Sequence, residues 1–225
     1  MFQVKLFHSY SVLGLKIVTK YACHLKVEGE ENVPLVGPLI VVSNHLSYLD
    51  PALIGMILPR EVQFLAKREL FDHPIVGVLV RQWNAISLER GTGDLGALRS
   101  AIGALSQNKV LGMFPEGHRS PGPMRKAHQG TALLALRSEA PILPIAITGT
   151  ERIKGAVSIL KHPYIHIRIG QAFRVPNLDG HVGRAQLNSL TEMIMFRIAE
   201  MLPEYYRGEY AGLFERRRAP ARVES

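Results

Sequence analysis

The sequence predicts an α/β fold: one domain with a mixed sheet flanked by helices, preceded by an N-terminal amphipathic helical segment. Short apolar runs with strand character alternate along the chain with runs of helical periodicity, as they do in α/β domains. The chain has 225 residues, of which 47% are hydrophobic and 20% charged. These values are typical of a globular protein that is long enough to bury a substantial core.

Strands are expected where apolar runs are short and bounded by turn residues. They fall at 38–43, 61–66, 85–89, 109–114, 142–148 and 164–169. Helices are expected at 51–58 after Pro51, at 94–107 with Asp94 as N-cap, at 130–138 and at 185–202, while 69–83 is mixed and helical after Pro74. Pro144 lies inside a strand-like run and predicts an edge strand or a bulge, because proline cannot donate to a strand ladder.

Residues 1–28 form a basic amphipathic segment that precedes a domain expected at 29–205 and a basic tail at 206–225. On a helix, one face of the segment carries apolar side chains and the opposite face carries lysines. The apolar residues are Leu6, Phe7, Tyr10, Leu13, Ile17 and Tyr21, and the basic ones are Lys5, Lys16 and Lys20. Such a helix fits a membrane interface, with its lysines among anionic headgroups, and it also fits packing on its own domain.

The composition limits the classes of partner and of site. A net charge of +8 favours anionic partners, which include nucleic acids, anionic lipids and phosphorylated substrates. No helix-turn-helix or aromatic platform supports nucleic acid. Cys23 is the only cysteine, which excludes an intramolecular disulfide and a cysteine-built zinc site and suits a reducing cytoplasm. No apolar run approaches the roughly 20 residues of a membrane-spanning helix, and we expect no metal site.

The stretch SNHLSYLD, residues 43–50, places a histidine and an aspartate where a strand ends and a helix begins. His45 could act as a general base if Asp50 held its other ring nitrogen. The same pattern also fits a core histidine beside a helix-capping aspartate.

Two further stretches carry candidate site residues. The turn FPEGHRS, residues 114–120, follows a predicted strand, projects Glu116 and Arg119, and contains a glycine that allows close backbone approach. Arg90 ends the run ISLER, and an arginine fork suits phosphate. Each of these also has an ordinary interpretation as a solvated turn or a strand-terminal arginine.

Taken in order, the blocks at Asn44–Asp50, Ile86–Arg90, Phe114–Ser120 and Leu143–Ile147 resemble those of the glycerolipid acyltransferase superfamily. The resemblance is greatest to its bacterial 1-acylglycerol-3-phosphate acyltransferases, and it extends from about residue 25 to residue 200. It implies transfer of an acyl group from a coenzyme A or acyl carrier protein thioester to the sn-2 hydroxyl of lysophosphatidate. His45 would be the general base and Asp50 would orient it.

The resemblance also implies a set of substrate-binding residues: Asn44, Ser47, Arg90, Glu116, Gly117, His118, Arg119 and Pro144. The acyl donor is a substrate, and no further cofactor is implied. The partners are the two substrates, an anionic membrane met through the N-terminal helix, and acyl carrier protein if that carries the donor. The expected location is the cytoplasmic face of the cell membrane, as a peripheral or monotopic protein.

The chain contains no G-x-S-x-G elbow, so the substrate hydroxyl is expected to be the nucleophile. A backbone N–H near the His45 turn is the candidate oxyanion donor. Two departures from the family pattern, His118 in place of threonine and the second block SLER, leave another lysolipid or an acyl-amino-acid lipid open as acceptor. A thioesterase, which would use water, shares the same histidine and carboxylate.

Overall fold

The structure is a computed structural model of the chain. It describes residues 23–218 except 75, 84, 89–94, 155–157, 159–160, 177 and 179–181. The predicted N-terminal helix and the N-cap at Asp94 lie outside the described residues.

The described strands form one seven-stranded sheet in the order β1-β7-β6-β2-β5-β3-β4. The strands are β1 (His24–Glu28), β2 (Leu39–Ser43), β3 (Val62–Lys67), β4 (Ile86–Leu88), β5 (Val110–Met113), β6 (Ile142–Thr148) and β7 (Tyr164–Ile169). All neighbouring pairs are parallel except β6 and β7, which are antiparallel. The predicted mixed sheet is therefore confirmed, and β2 to β6 all end at one edge, here called the C-terminal edge.

Five of the described helices lie close to predicted positions, and three others, at 68–72, 204–207 and 211–218, were not predicted. They are α1 (Asp50–Ile57), α2 (Arg68–Asp72), α3 (Val76–Gln82), α4 (Leu95–Ser106), α5 (Gly130–Ser138), α6 (Arg184–Ala199), α7 (Glu204–Arg207) and α8 (Ala211–Arg218). Pro51 lies in the first turn of α1, where a missing N–H costs nothing. None of the helices within the described ranges has the length and apolar character needed to cross a bilayer.

The central strands bury both of their faces, because successive side chains point to opposite sides of the sheet. In β2, Leu39 and Val41 join one hydrophobic cluster together with residues of α1. Ile40 and Val42 join a second cluster, which is packed against α4, α5 and α6. The sheet is thus the middle layer between two cores.

The end of the predicted N-terminal segment is a strand rather than a helix. His24–Glu28 pairs in parallel with β7, with His24 opposite Tyr164. Because β7 runs antiparallel to β6, with Thr148 opposite His166, β1 begins at the C-terminal edge of the sheet. The domain therefore starts before residue 29, and pairing with a strand far along the chain gave no local signal in the sequence.

The packed unit also continues past the predicted boundary at residue 205. Tyr210 is 5% exposed, and its hydroxyl accepts a 2.8 Å hydrogen bond from the N–H of Ala127. The ring of Phe214 lies 4.7 Å from that of Phe196 in α6. Part of the predicted tail is thus a helical segment anchored by aromatic side chains.

Pro144 marks a bulge, as one of its two interpretations predicted. Ile145 pairs with Ile169, and Ile142 bridges to Phe173. The segment from Ile169 to Phe173 is therefore one residue longer than the segment of β6 that it faces, which is the definition of a bulge. The missing N–H of Pro144 falls in this shifted stretch. The alternative, an edge strand, is wrong, since β6 lies between β2 and β7.

Candidate active site

The site forms because two loops leave neighbouring strands at the same edge. β2 and β5 are parallel partners, with Val42 opposite Met113. The turn that carries His45 therefore lies beside the turn that carries Glu116. In α/β sheets, ligands commonly bind outside the carboxyl ends of the strands.

His45 and Asp50 are in direct contact. Nδ1 of His45 donates to Oδ2 of Asp50 across 2.9 Å, the side chain of His45 is 15% exposed, and Asp50 is fully buried. Since Nδ1 carries the proton, Nε2 is the nitrogen that can accept one. The predicted pair therefore has the geometry of a histidine base and its orienting carboxylate.

The Asp50 carboxylate is held by donors from two parts of the chain. The N–H groups of Leu46 and Ser47 each donate to Oδ2 across 2.7 Å. The hydroxyl of Thr150 donates to Oδ1, also across 2.7 Å. Together with His45, these donors fix the carboxylate in one orientation.

Sequence reasoning missed Thr150, which is fully buried at the start of a 3₁₀ turn after β6. The preceding residue, Gly149, has φ of 91°, and a Cβ there would lie 2.0 Å from the carbonyl oxygen of Tyr164. Glycine is therefore required for the turn that aims the Thr150 hydroxyl. The dipeptide Gly-Thr after a buried strand was the available signal.

Glu116 supports the backbone of both loops, and the acceptor contact that the resemblance implies for it stays a prediction. Its side chain is 1% exposed, with Oε1 accepting from the N–H of His45 across 3.1 Å and Oε2 accepting from the N–H of Arg125 across 2.8 Å. The carbonyl of His45 in turn accepts from the N–H of Ser120 across 2.7 Å. Burial raises the pKa of the Glu116 carboxyl, and the two N–H donors partly offset that rise.

Asn44 and Ser47 also act on the protein itself. The amide of Asn44 donates to the carbonyl of Ile147 and accepts from its N–H, each across 2.8 Å. The Asn44 side chain therefore continues the pairing of β2 with β6 past the end of β2. Asn44 is 1% exposed, which leaves no surface for a substrate. The hydroxyl of Ser47 accepts from the N–H of Leu49, and its carbonyl accepts from the N–H of Asp50. Both residues shape the turn that presents His45.

Phe114 covers one face of the His45 ring. The ring centroids lie 4.0 Å apart with the planes 20° apart, and Phe64 stacks behind Phe114 at 5.7 Å. The imidazole is thus fixed by Asp50 at its edge and by an aromatic ring on its face. Gly112, opposite Phe64 in the sheet, leaves the space that this second ring occupies.

Exposed polar side chains lie on the turns around His45 and Asp50. The guanidinium of Arg119 lies 3.2 Å from the centroid of the Tyr48 ring. Nη1 of Arg125 lies 3.3 Å from Nε2 of His118. Gly117 has φ of 72°, and its N–H donates to the carbonyl of Phe114, which closes the turn. The two arginines provide positive charge beside His45.

Comparison with known proteins identifies the family. Residues 24–148, more than half of the chain, match the model of the family described as Acyltransferase. The chain belongs to the acyltransferase family.

Relatives of this acyltransferase include a 1-acyl-sn-glycerol-3-phosphate acyltransferase of Bacillus subtilis, which is 23% identical over 86% of this chain and 96% of the relative. The mouse 1-acyl-sn-glycerol-3-phosphate acyltransferase alpha is 34% identical over 57% of this chain and 46% of its own length. A crystal structure of a 1-acyl-sn-glycerophosphate acyltransferase from Thermotoga maritima superposes with a TM-score of 0.64 and 25% identity, covering 97% of this chain and 81% of that one.

Three backbone N–H groups of the His45 turn are already engaged and are not available as the predicted oxyanion donor. The N–H groups of His45, Leu46 and Ser47 already donate to Glu116 and Asp50. The predicted donor, a backbone N–H near the His45 turn, would be one other than these three and stays a prediction.

Two further predicted binding residues of the acyltransferase are Arg90 and Pro144. Arg90 lies outside the described residues. Pro144 is buried in the centre of the sheet, where it terminates regular pairing with β7. Within the described ranges, no group of three histidine, cysteine or acidic side chains is arranged to hold a metal ion.

Proposed function

We propose that the protein transfers a fatty acyl group from a coenzyme A or acyl carrier protein thioester to the sn-2 hydroxyl of lysophosphatidate, giving phosphatidate. The observation that carries the proposal is the 2.9 Å contact between Nδ1 of His45 and the buried Asp50 carboxylate. The family membership and the names of the relatives support the reaction class and the acceptor.

In this mechanism His45 Nε2 removes the proton of the acceptor hydroxyl as its oxygen attacks the thioester carbonyl. The tetrahedral intermediate collapses, the carbon–sulfur bond breaks, and the sulfur leaves with the proton that His45 took up. Asp50 stabilises the imidazolium between these steps. Holding both substrates in register would supply much of the rate enhancement.

Charge and apolar surface near the pair support the choice of substrates. Arg119 places a guanidinium at the rim of the site, and arginine forks bind phosphate well. Leu49, Ile57 and Trp83 are partly exposed hydrophobic residues packed against the core on the side of α1, and they offer surface to an acyl chain. The amphipathic segment before Cys23 would bring the enzyme to the cytoplasmic face of a membrane as a peripheral protein.

The test is release of free thiol from palmitoyl-coenzyme A in detergent, with and without lysophosphatidate. We expect release by the wild type to depend on the acceptor, to vanish in His45→Ala, and to persist in the matched control His24→Ala. Release that ignores the acceptor would indicate a thioesterase. If the wild type released no thiol from either coenzyme A or acyl carrier protein donors, lysophosphatidate would be contradicted as the acceptor.

A further inference from the structure

The loop at 117–129, here called the arginine loop, lies against the C-terminal segment of the chain. The N–H of Met124 donates to the carbonyl of Tyr206 across 2.9 Å, and the carbonyl of Met124 accepts from the N–H of Glu209 across 3.1 Å. Gly208 has φ of 50°, and a Cβ on it would lie 2.1 Å from the carbonyl oxygen of Met124. Glycine is therefore required for the segment to approach the loop this closely.

The arginine loop also meets the turn that carries His45. The N–H of Arg125 donates to Oε2 of Glu116, and Oε1 of Glu116 accepts from the N–H of His45. The N–H of Ser120 donates to the carbonyl of His45 across 2.7 Å. Met124 directly precedes Arg125, so the contact with the C-terminal segment lies one residue from the contact with Glu116.

Tyr206 reaches a second turn with its side chain. Its hydroxyl donates to Oε1 of Glu151 across 2.8 Å. Glu151 directly follows Thr150, whose hydroxyl donates to Asp50. Burial, together with the nearby Glu151 carboxylate, raises the pKa of Tyr206 to about 12, so the hydroxyl keeps its proton at neutral pH. One residue therefore joins the arginine loop, through its carbonyl, to the turn that supports Asp50, through its hydroxyl.

The Glu151 carboxylate has few other partners. Its side chain is 15% exposed, and Oε2 is buried with no hydrogen-bond donor among the residues that the structure describes. Nε of the largely exposed Arg152 lies 3.6 Å from Oε1, beyond hydrogen-bond distance. A buried carboxylate with one close donor depends strongly on that donor, which here is the Tyr206 hydroxyl.

We propose that Tyr206 is a positioning residue that couples the arginine loop to the turn supporting Asp50, and thereby sets where the cations of that loop stand relative to His45. Tyr206 lies beyond residues 24–148, which match the family model. The proposal rests on the proposed function in that the acceptor phosphate meets these cations. If the C-terminal segment served the core alone, its loss would lower stability and leave the affinity for the acceptor unchanged.

The experiment is a double-mutant cycle on the bond between Tyr206 and Glu151. Tyr206→Phe, Glu151→Met and the double variant are compared in the thiol-release assay, with lysophosphatidate and palmitoyl-coenzyme A varied separately. Glu151→Gln is the conservative variant, because it keeps an oxygen that accepts from Tyr206. The matched control is Tyr205→Phe, which removes the hydroxyl of the neighbouring tyrosine, a side chain that is 67% exposed. Thermal melting checks that each variant is folded.

We expect each single variant to raise the KM for lysophosphatidate about tenfold and to leave the KM for the donor nearly unchanged. The double variant should match the single ones, because all three remove the same bond. Glu151→Gln and Tyr205→Phe should behave like the wild type. The proposal would be overturned by an additive rise of about a hundredfold in the double variant, by equal rises in both KM values, or by lower melting temperatures with an unchanged KM.

Amide hydrogen exchange of the substrate-free protein separates this proposal from the proposed function. Tyr206→Phe should speed exchange about tenfold at Met124 and Arg125 and in the turn at Thr150–Arg152, while exchange in β3 stays as in the wild type. Faster exchange in a protein that does not use lysophosphatidate would contradict the acceptor and leave the coupling intact. Unchanged exchange, or an equal rise throughout the sheet, would contradict the coupling whatever the substrate.

Discussion

The hydroxyl of Thr150 and the carboxylate of Asp50 are joined by a 2.7 Å hydrogen bond between two fully buried side chains. The bond connects the turn after β6 to the turn after β2, across 100 positions of sequence. It satisfies Oδ1 and leaves Oδ2 for His45, Leu46 and Ser47. Thr150 therefore helps to hold the Asp50 carboxylate that orients His45.

Thr150→Val should lower kcat by about 10- to 100-fold with little change in KM. The valine fills the same volume but leaves a buried carboxylate oxygen without a donor, which costs about 1–3 kcal/mol. Thr150→Ser should recover most of the rate, because it restores the hydroxyl. Steady-state kinetics of the two variants check this, and a valine variant with wild-type kcat would contradict the role.

Asp50→Asn should lower kcat/KM by about a thousandfold or more. The amide is neutral and cannot stabilise the imidazolium as the carboxylate does, even with its oxygen among the donors at the Oδ2 position and its NH₂ group on the Thr150 hydroxyl. The assay is acceptor-dependent thiol release, with the melting temperature measured alongside. A folded variant that keeps a tenth of the activity would rule out the proposed role of Asp50 in orienting and stabilising His45.

Phe114→Leu should reduce kcat by about tenfold, because the His45 ring loses the stacked partner 4.0 Å away and gains rotational freedom. Phe64→Leu is the matched control, since Phe64 is packed against Phe114 but is stacked one ring further from the histidine. Both variants should lose similar stability, and only the first should lose most of its turnover. Equal kinetic effects would mean that the stacking serves packing alone.

Asn44→Ala should destabilise the fold by about 1–3 kcal/mol, because it leaves the buried N–H and C=O of Ile147 unpaired. Asn32→Ala is the comparison, since its amide makes one partly buried bond to Ile169 and should cost about 1 kcal/mol. Urea unfolding measures both changes. A smaller loss at Asn44 than at Asn32 would contradict the role of Asn44 as a strand extension.

Glu116 should make part of the stability depend on pH. The unfolded carboxyl titrates near 4.5, and burial raises its pKa in the folded protein, so the folded state holds the extra proton between the two pKa values. The contribution of Glu116 is therefore largest below pH 4.5 and is lost as the pH rises through the folded pKa.

The free energy of unfolding, measured by urea titration across this range in wild type and Glu116→Gln, isolates the effect. The free energy of unfolding of the wild type, relative to that of the variant, should fall as the pH rises. If this relative free energy stayed constant or rose with pH, the pKa of Glu116 would not be raised in the folded protein.

Several parts of this structure could be read from local sequence. The strands β2, β5, β6 and β7 and the helix α1 followed from apolar runs, proline placement and turn residues, because these signals depend on neighbouring residues. The contact between His45 and Asp50 was predicted for the same reason, since a strand end and a helix start five positions apart fold back on each other. Strand β1 was missed because its partner is β7, 140 positions away, as the bond between Arg168 and Glu28 records.

The sequence by itself determined the α/β class, the mixed sheet flanked by helices and the pairing of His45 with Asp50. Only the tertiary structure decided what surrounds that pair. The sheet order places the carboxyl ends of β2, β5 and β6 side by side, and this brings Glu116 and Thr150 onto the His45 turn. It also gives Glu116 and Asn44 a part in supporting the backbone that the sequence did not predict, because buried N–H and C=O groups must find partners, and the partner available depends on which strand lies next to which.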